Sequence, residues 1–435
     1  MSASLTPRVD GCGTKPLPAG TGEVIGSLPH YNFARKGASD SGWDWGPAFS
    51  PVGIYTAPQL VAYRTVYLAD VVVAHTVNED GSGALLAVRA VLRVHPPPPH
   101  PLGPQPPGGG ASADPAAATA ATAAITCLTF AVEGVTLPAN STHAVVRAER
   151  RRRATGVEAD AAEEGGDTEV VHDQYLWMPG PVRLWWPRGY GAQSMYNVTV
   201  NAGPCSGDRG GGGGADLTLS KGSPGPSPSE TGAGAGAGAR AAGGAGYSDV
   251  TITRQIGFRT VELVDRKPGA GGGTYHLRIN GSPVFVKGAN MVPVDVFHGH
   301  GGGPREDEAL LKGRAAVETM ERLLAAATSA NMNAVRVWGG GRYQSDAFYA
   351  RCDELGLLVW QESMFACASY PRDEHFLAAV RAEAVFQARR LASHPSVVIW
   401  GGNNENEAAL DWYKETKANP IMYAVDLSVV RRVAV

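Results

Sequence analysis

Residues 334–362 read AVRVWGGGRYQSDAFYARCDELGLLVWQE. Two short apolar runs, Ala334 to Trp338 and Leu357 to Glu362, flank the segment Tyr343 to Leu355, whose spacing predicts a helix. Strands that are apolar without alternation are buried on both faces, which is the signature of a parallel sheet covered by helices. The texture continues on both sides. Glu308 to Ala330 predicts a helix with Val317, Met320, Leu324 and Ala327 on one face. Asp373 to Ser393 predicts another, with Leu377, Val380, Ala384, Ala388 and Leu391 facing the core, and Val397 to Trp400 is the next strand. Upstream, HLRINGSPVFVKGAN at 276–290 predicts a strand, a type I′ turn at Asn280-Gly281 and a second strand from Val284 to Lys287. Each apolar run of the four βα steps ends in glycine and polar residues: Lys287 to Asn290, Trp338 to Gly341, Gln361-Glu362 and Gly401 to Glu405. A (β/α)8 barrel presents its active face this way, and a doubly wound sheet also binds ligands there, so spacing leaves both open.

The N-terminal half has another character. Of 435 residues, 56 are Gly and 31 are Pro, and much of that excess sits in two low-complexity stretches, 96–124 and 203–246. Neither can build a core. Between them lie strand-like segments at Thr65 to Val77, Ile125 to Val132, Val182 to Trp186, Asn197 to Asn201 and Asp249 to Arg254. Short strands with long insertions at loop tips predict a β-sandwich. Arg147 to Asp167, with Arg150 to Arg153 followed by acidic residues, reads as a solvated loop.

Composition narrows the function. A net charge of −3 points to no nucleic-acid or anionic-membrane partner. No run is long and apolar enough for a membrane span, and the first 20 residues lack a signal-peptide pattern. The five cysteines, Cys12, Cys127, Cys205, Cys352 and Cys367, are scattered without a CxxC pair and read mostly as buried thiols. Asn-X-Ser/Thr triplets stand at Asn140, Asn197 and Asn280.

The chemistry gathers at the strand ends. Glu405, after Asn403-Asn404, is placed where a shielded carboxyl could donate a proton; a salt bridge is the competing role. Glu362 is either a second carboxylate or a structural group. Arg336, on a buried strand, needs a carboxylate partner and either orients a catalytic group or closes an ion pair. Trp338 is a flat wall for a sugar ring or simply core. WDWGP at 43–47 sets Asp44 between two indoles, a pattern suited to sugar hydroxyls and faces, or to a packed β-corner. Trp185-Trp186-Pro187 is expected to pack at a contact between domains, and Glu407 on a helix surface.

Six stretches in order, SGWDWGPAFSPVGIY (41–55), VRLWWPRGYGAQSMYNVTV (182–200), IGFRTVEL (256–263), FVKGANMVPVDVF (285–297), 331–371 and HPSVVIWGGNNENEAALDWY (394–413), resemble the β-mannosidases of glycoside hydrolase family 2. The pairing of WDWGP with RVWGGG favours that branch over the β-galactosidases and β-glucuronidases of the family. The resemblance implies a retaining exo-hydrolase that removes terminal β-linked mannose from oligosaccharides or glycoproteins, needing no cofactor and no metal. It implies a fold that is β plus α/β: a jelly-roll remnant at 1–57, an immunoglobulin-like sandwich at 58–266 and the first half of a (β/α)8 TIM barrel at 267–435. It makes Glu405 the general acid/base and Asn404 the contact for the sugar 2-hydroxyl. Trp338, Trp43 and Asp44 become sugar-site residues, with Arg336 and Trp412 beside them. Where the family reads WQDF, this chain has Trp360-Gln-Glu-Ser363, so the role of Glu362 is open. The family's nucleophile lies on a seventh strand, matched by no residue here. The segment before WDWGP is too short for a whole jelly roll, and four strands fall short of a whole barrel of roughly 250 residues, so against the family the chain reads as truncated at both ends, with a tail from Ala418 that departs from the pattern. An inactive fragment, a carbohydrate-binding protein or another family 2 glycosidase are the alternatives. The family implies lysosome, vacuole or secretion.

Overall fold

The computed structural model describes residues 31–49, 60–63, 66–78, 82–95, 124–148, 168–205, 250–266, 274–294, 306–371, 373–412 and 417. The insertions read at 96–124 and 203–246, the loop at 147–167 and the tail after Ala418 lie almost wholly outside the described residues. The described residues fall into two compact units.

One unit comprises residues 59–183 and 194–258. Its strands are β1 (Val66–Val77), β2 (Gly83–Val94), β3 (Ala124–Val132), β4 (His143–Ala148), β5 (Thr168–Pro179), β6 (Tyr196–Gly203) and β7 (Val250–Ile256). They form two antiparallel sheets, ordered β1-β2-β5 and β4-β3-β6-β7. Period-2 alternation directs Leu86, Val88, Ala90 and Leu92 of β2 inward with no exposure, and Leu128, Phe130, Val198 and Val200 do the same on β3 and β6. A bulge at Leu68/Asp70 on β1 is filled from β7: Arg254 donates to Asp70 Oδ1 at 2.6 Å and to the Val71 carbonyl at 2.9 Å.

Three strands of this unit, β2, β4 and β5, are additions to the sequence reading. The expected strand at Val182 to Trp186 is corrected: only an isolated bridge, Trp185 to Gln193, forms there. Pro181 and Pro187 bracket the run, and a proline cannot donate to a ladder. Residues 184–193 cluster with the second unit, where Trp185 is fully buried and its indole donates to the Asp353 carbonyl at 2.8 Å, so it is a core residue of that unit. The reading of the cysteines is corrected too. Cys127 and Cys205 form a disulfide with Cα atoms 5.0 Å apart, while Cys352 and Cys367 are buried thiols. Strand register makes the pair: Cys127 stands opposite Gly203, two residues before Cys205.

The other unit holds residues 1–58, 184–193 and 259–435. An antiparallel sheet joins β8 (Val261–Arg266), β9 (Thr274–Ile279) and β10 (Ser282–Val284). Positive φ at Asn280 (51°) and Gly281 (74°) makes the β9–β10 turn of the expected I′ kind. Next comes a parallel sheet of β11 (Gly288–Met291), β12 (Ala334–Val337), β13 (Leu358–Glu362) and β14 (Val397–Gly401), in sequential order. The first parallel strand was expected at Val284 to Lys287 and instead begins at Gly288. Among the described strands the order shows no reversal of the kind that marks a switch point. The helices α1 (Glu306–Ser329), α2 (Asp346–Leu355) and α3 (Glu374–Leu391) alternate with these strands. Ser345 and Asp373 cap α2 and α3 by accepting from Phe348 and Phe376 amides, and Gly356, at φ 70°, ends α2. Met320, Leu324, Val335, Val337, Phe348, Val359, Leu391 and Val397 form one core. Val317 and Ala388, assigned to buried faces, are exposed.

The disulfide closes a loop of 78 residues, and such a cross-link restricts the unfolded chain. Replacing both Cys127 and Cys205 by Ser is expected to lower stability by about 2–4 kcal/mol, read by urea denaturation. Peptide mapping without reductant should recover the linked pair.

Candidate active site

At the carboxyl ends of β11 to β14 one guanidinium organises four segments. Register sets Asn290, Arg336 and Trp360 side by side on β11, β12 and β13. Arg336 donates through Nε and Nη2 to Glu362 Oε1 at 3.0 and 2.7 Å, through Nη1 to Asn290 Oδ1 at 3.0 Å, and through Nη2 to Asn404 Oδ1 at 2.7 Å. Its face lies 5.3 Å from the Trp360 ring centroid. The other oxygen of Glu362, which is 3% exposed, accepts from the Gly339 amide at 2.8 Å. Both oxygens are thus engaged within the network. Arg336 realises its ion pair and at the same time aims the amide of Asn404.

Asn404 and Glu405 follow β14 and enter the short helix α4 (Asn406–Ala409). Asn403 Oδ1 accepts from the Asn406 amide at 3.0 Å, so the first asparagine of the triplet closes the turn. Glu405 has φ 59° and is exposed, in contrast to the shielded carboxyl expected. Its Oε2 accepts from Cys367 Sγ and from Asn404 Nδ2, both at 3.4 Å. Cys367 belongs to the loop after β13 and is also left-handed, with φ 53°. Backbone bonds sew this loop to Asn404: Cys367 N to Asn404 O at 2.9 Å and Asn404 N to Phe365 O at 2.8 Å.

The third wall is the segment 31–49. Asn32 donates to the Ser369 carbonyl at 2.6 Å, Arg35 forms a two-point pair with Glu383 at 2.8 and 2.6 Å, and the Ser39 amide donates to the Gly340 carbonyl at 2.9 Å. Buried Asp40 faces Arg342 at 3.3 Å and Lys36 at 3.6 Å. So anchored, the segment turns tightly at Trp43–Gly46 and sets Trp43 edge-on to Trp338, centroids 4.9 Å apart, and to Tyr31 at 6.2 Å. Trp43 and Trp338 are 9% and 8% exposed, whereas Trp45, 5.9 Å from Trp338, is 55% exposed and Asp44 is exposed. The glycines after Trp338 have a steric reason: any Cβ on Gly340 would overlap the Trp338 ring.

No protein-family model matches the chain. The β-mannosidase of Rattus norvegicus is 30% identical over 387 residues, 88% of this chain and 33% of the relative. Beta-mannosidase A of Aspergillus oryzae is 30% identical over 419 residues, 91% of this chain and 35% of the relative. The crystal structure of β-D-mannosidase from Dictyoglomus thermophilum aligns with a TM-score of 0.60 at 26% identity, covering 92% of this chain and 36% of that one. The chain is a homologue of β-mannosidases. It spans about a third of the length of these relatives.

In this β-mannosidase homologue the structure brings Trp43, Trp338, Arg336, Asn404 and Glu405 to one end of the parallel sheet. Asp44 is near enough for its charge to act on Cys367. Trp412, just after α4, is 44% exposed and makes no ring contact with Trp43 or Trp338 among the described residues. Two residues escaped the sequence reading. Trp45 was visible within WDWGP, but only the strap's turn shows which indole faces outward. Cys367 carried no signal, because its partner lies 38 residues away.

Burial, then the hydrogen bond donated to Glu405 and the Glu405 charge, push the Cys367 thiol up to about 12. Below that pH it is a neutral donor, so alkylation by iodoacetamide at pH 8 is expected to leave Cys367 unmodified in the native protein. Glu405→Gln removes an anion that opposes the thiolate, and alkylation measured by mass spectrometry at pH 9.5 should then be faster. Arg336→Met strands the buried Glu362 charge and should cost about 3 kcal/mol, checked by chemical denaturation.

Proposed function

We propose that this chain carries the acid/base side of a retaining β-mannosidase site that removes terminal non-reducing β-D-mannose from oligosaccharides or glycoproteins. The observation that carries the reading is the Glu362–Arg336–Asn404 network, which fixes the residue immediately before Glu405 at the carboxyl end of the parallel sheet. Retaining hydrolysis needs a group that protonates the departing glycosidic oxygen and then takes a proton from the attacking water. Glu405 fills that role, and the Cys367 thiol and the Asn404 amide hold its carboxylate from one side. Arg336 donates to Asn404 Oδ1 and so fixes the amide beside Glu405, where Asn404 is assigned the contact with the sugar 2-hydroxyl. Asp44 accepts from other hydroxyls, and Trp338 and Trp43 form the aromatic wall, extended by the exposed ring of Trp45. Trp412 is assigned a further, outer wall. The nucleophile is assigned to no residue of this chain.

The same reading places a jelly-roll remnant at 1–57, an immunoglobulin-like sandwich at 58–266 and the first half of a (β/α)8 barrel from 267. It also places the protein in a lysosomal, vacuolar or secreted setting, which the Cys127–Cys205 disulfide supports, since such bonds persist in oxidising compartments. Among the described residues no helix is long and apolar enough to cross a membrane.

The test is hydrolysis of an aryl β-mannoside by the full-length gene product, with a matching β-galactoside as control. Glu405→Gln is expected to lower kcat/KM by roughly 10²–10⁴-fold, and Glu405→Ala to regain turnover of an activated substrate when azide supplies a small nucleophile. Faster hydrolysis of the galactoside would move the activity to another family 2 glycosidase. A second reading, a carbohydrate-binding protein without turnover, is favoured by the exposure of Glu405. Mannose binding by calorimetry without hydrolysis in any extended form would establish it.

A further inference from the structure

The three Asn-X-Ser/Thr triplets sit in very different surroundings. Asn280 is the first residue of the β9–β10 turn and uses both ends of its amide: Oδ1 accepts from the Thr260 amide at 2.9 Å, and Nδ2 donates to the carbonyl of buried Trp185 at 3.0 Å. A sugar on Nδ2 would replace one of its two hydrogens and press a ring against the wall at which the amide points. Asn197 is half-buried on β6, an interior strand between β3 and β7, and its Nδ2 donates to Glu133 Oε2 at 2.6 Å. Its cross-strand neighbour is Gln255, so a glycan there would have to leave from the middle of a paired strand and give up the bond to Glu133.

Asn140 differs on every count. It lies in the 3-10 turn Ala139–Ser141 between β3 and β4, and it is exposed, as are Pro138 and Ala139. The turn is closed by its neighbours: the Ser141 amide and hydroxyl donate to the Pro138 carbonyl at 2.9 and 2.7 Å, and the Thr142 hydroxyl donates to the Ala139 carbonyl at 2.9 Å. The fold therefore makes no demand on the Asn140 side chain. The same sheet carries the Cys127–Cys205 bond, which starts on β3 and ends just after β6. A disulfide and an N-glycan are acquired in the same oxidising compartment.

We propose that Asn140 is the N-glycosylated asparagine of this protein and that Asn197 and Asn280 stay unmodified. In the transfer, Asn140 Nδ2 forms a bond to the anomeric carbon of an oligosaccharide carried on a lipid pyrophosphate. The bond from that carbon to the pyrophosphate oxygen breaks, the lipid pyrophosphate leaves with the electron pair, and Nδ2 gives up one proton. The acceptor is the asparagine and the donor class is a lipid-linked oligosaccharide, so neither Glu405 nor the hydrolytic activity is involved.

The deciding experiment is site mapping on the protein from its own cells. Peptide N-glycosidase in ¹⁸O-water converts each occupied asparagine into labelled aspartate, read by mass spectrometry of the peptides. Label at Asn140, with unlabelled asparagine at Asn197 and Asn280, is the expected result. Unlabelled Asn140, or label at either of the other two, overturns the proposal. Expression of variants in a eukaryotic secretory host gives a second readout. Asn140→Gln should lose the whole enzyme-sensitive gel shift, and Asn280→Gln and Asn197→Gln should retain it where they fold. A shift that survives Asn140→Gln overturns the proposal equally.

Discussion

A single guanidinium joins the ends of four segments that the sequence keeps far apart. Arg336 touches Asn290 on β11, Glu362 at the end of β13 and Asn404 after β14. Glu362 is 3% exposed, and an isolated carboxylate at that depth would cost several kcal/mol. Arg336 offsets this with two donors on one oxygen, while the Gly339 amide takes the other. A lysine could not substitute, since it carries a point charge and three donors where this site uses a planar fork aimed in three directions. The arrangement holds only in one register. A slip of one residue would turn Arg336 toward the helices and bring Val335 or Val337 to the inner side, where neither could satisfy Glu362.

Close approach at the strand ends follows from that pairing. A Cβ on Gly401 would stand 2.8 Å from both Glu362 Cγ and Trp360 Nε1, so β14 needs glycine where it meets the carboxylate. Gly340 is held to glycine by the Trp338 ring that lies over it. With Trp338 fixed, the strap 31–49 has a surface on which to dock; Arg35 to Glu383 and Asp40 to Arg342 anchor it there, while Lys36 to Asp40 closes an ion pair within this stretch of little regular structure. The tight turn at Trp43–Gly46 then sorts the side chains: Trp43 inward, Asp44 and Trp45 outward. A pentapeptide without a strand of its own thereby supplies both packing and a polar, aromatic rim.

Much of the parallel sheet was legible because its signals are local. Continuous apolar runs mark β12, β13 and β14, and Ser345, Asp373 and Gly356 mark helix limits within one turn of the chain. β11 was not legible, since Gly-Ala-Asn-Met has no strand propensity and pairs only because β12 offers it an edge. The Val182 to Trp186 run misled for the opposite reason, with strand-like residues confined between prolines. Glu362 and Arg336 could each be placed near the site, but which of their two roles applied depended on partners 26 and 68 residues away. The Cys127–Cys205 pair is the clearest case of information that spacing cannot hold, because it emerges only once β3 and β6 are aligned.

Two left-handed residues that are not glycine meet beside the carboxylate, Cys367 at φ 53° and Glu405 at φ 59°. Each such conformation is uncommon and costs about 1–3 kcal/mol when the surroundings impose it. Glycine would relieve that cost at both positions without disturbing the backbone bonds between Cys367 and Asn404. It would also delete the thiol and the carboxyl that contact each other across the two loops. The strained backbone thus coincides with the point at which the two side chains meet. The loops after β13 and β14 are shaped to present Glu405 with one oxygen already engaged, which makes its position a property of the fold even where the carboxyl itself faces solvent.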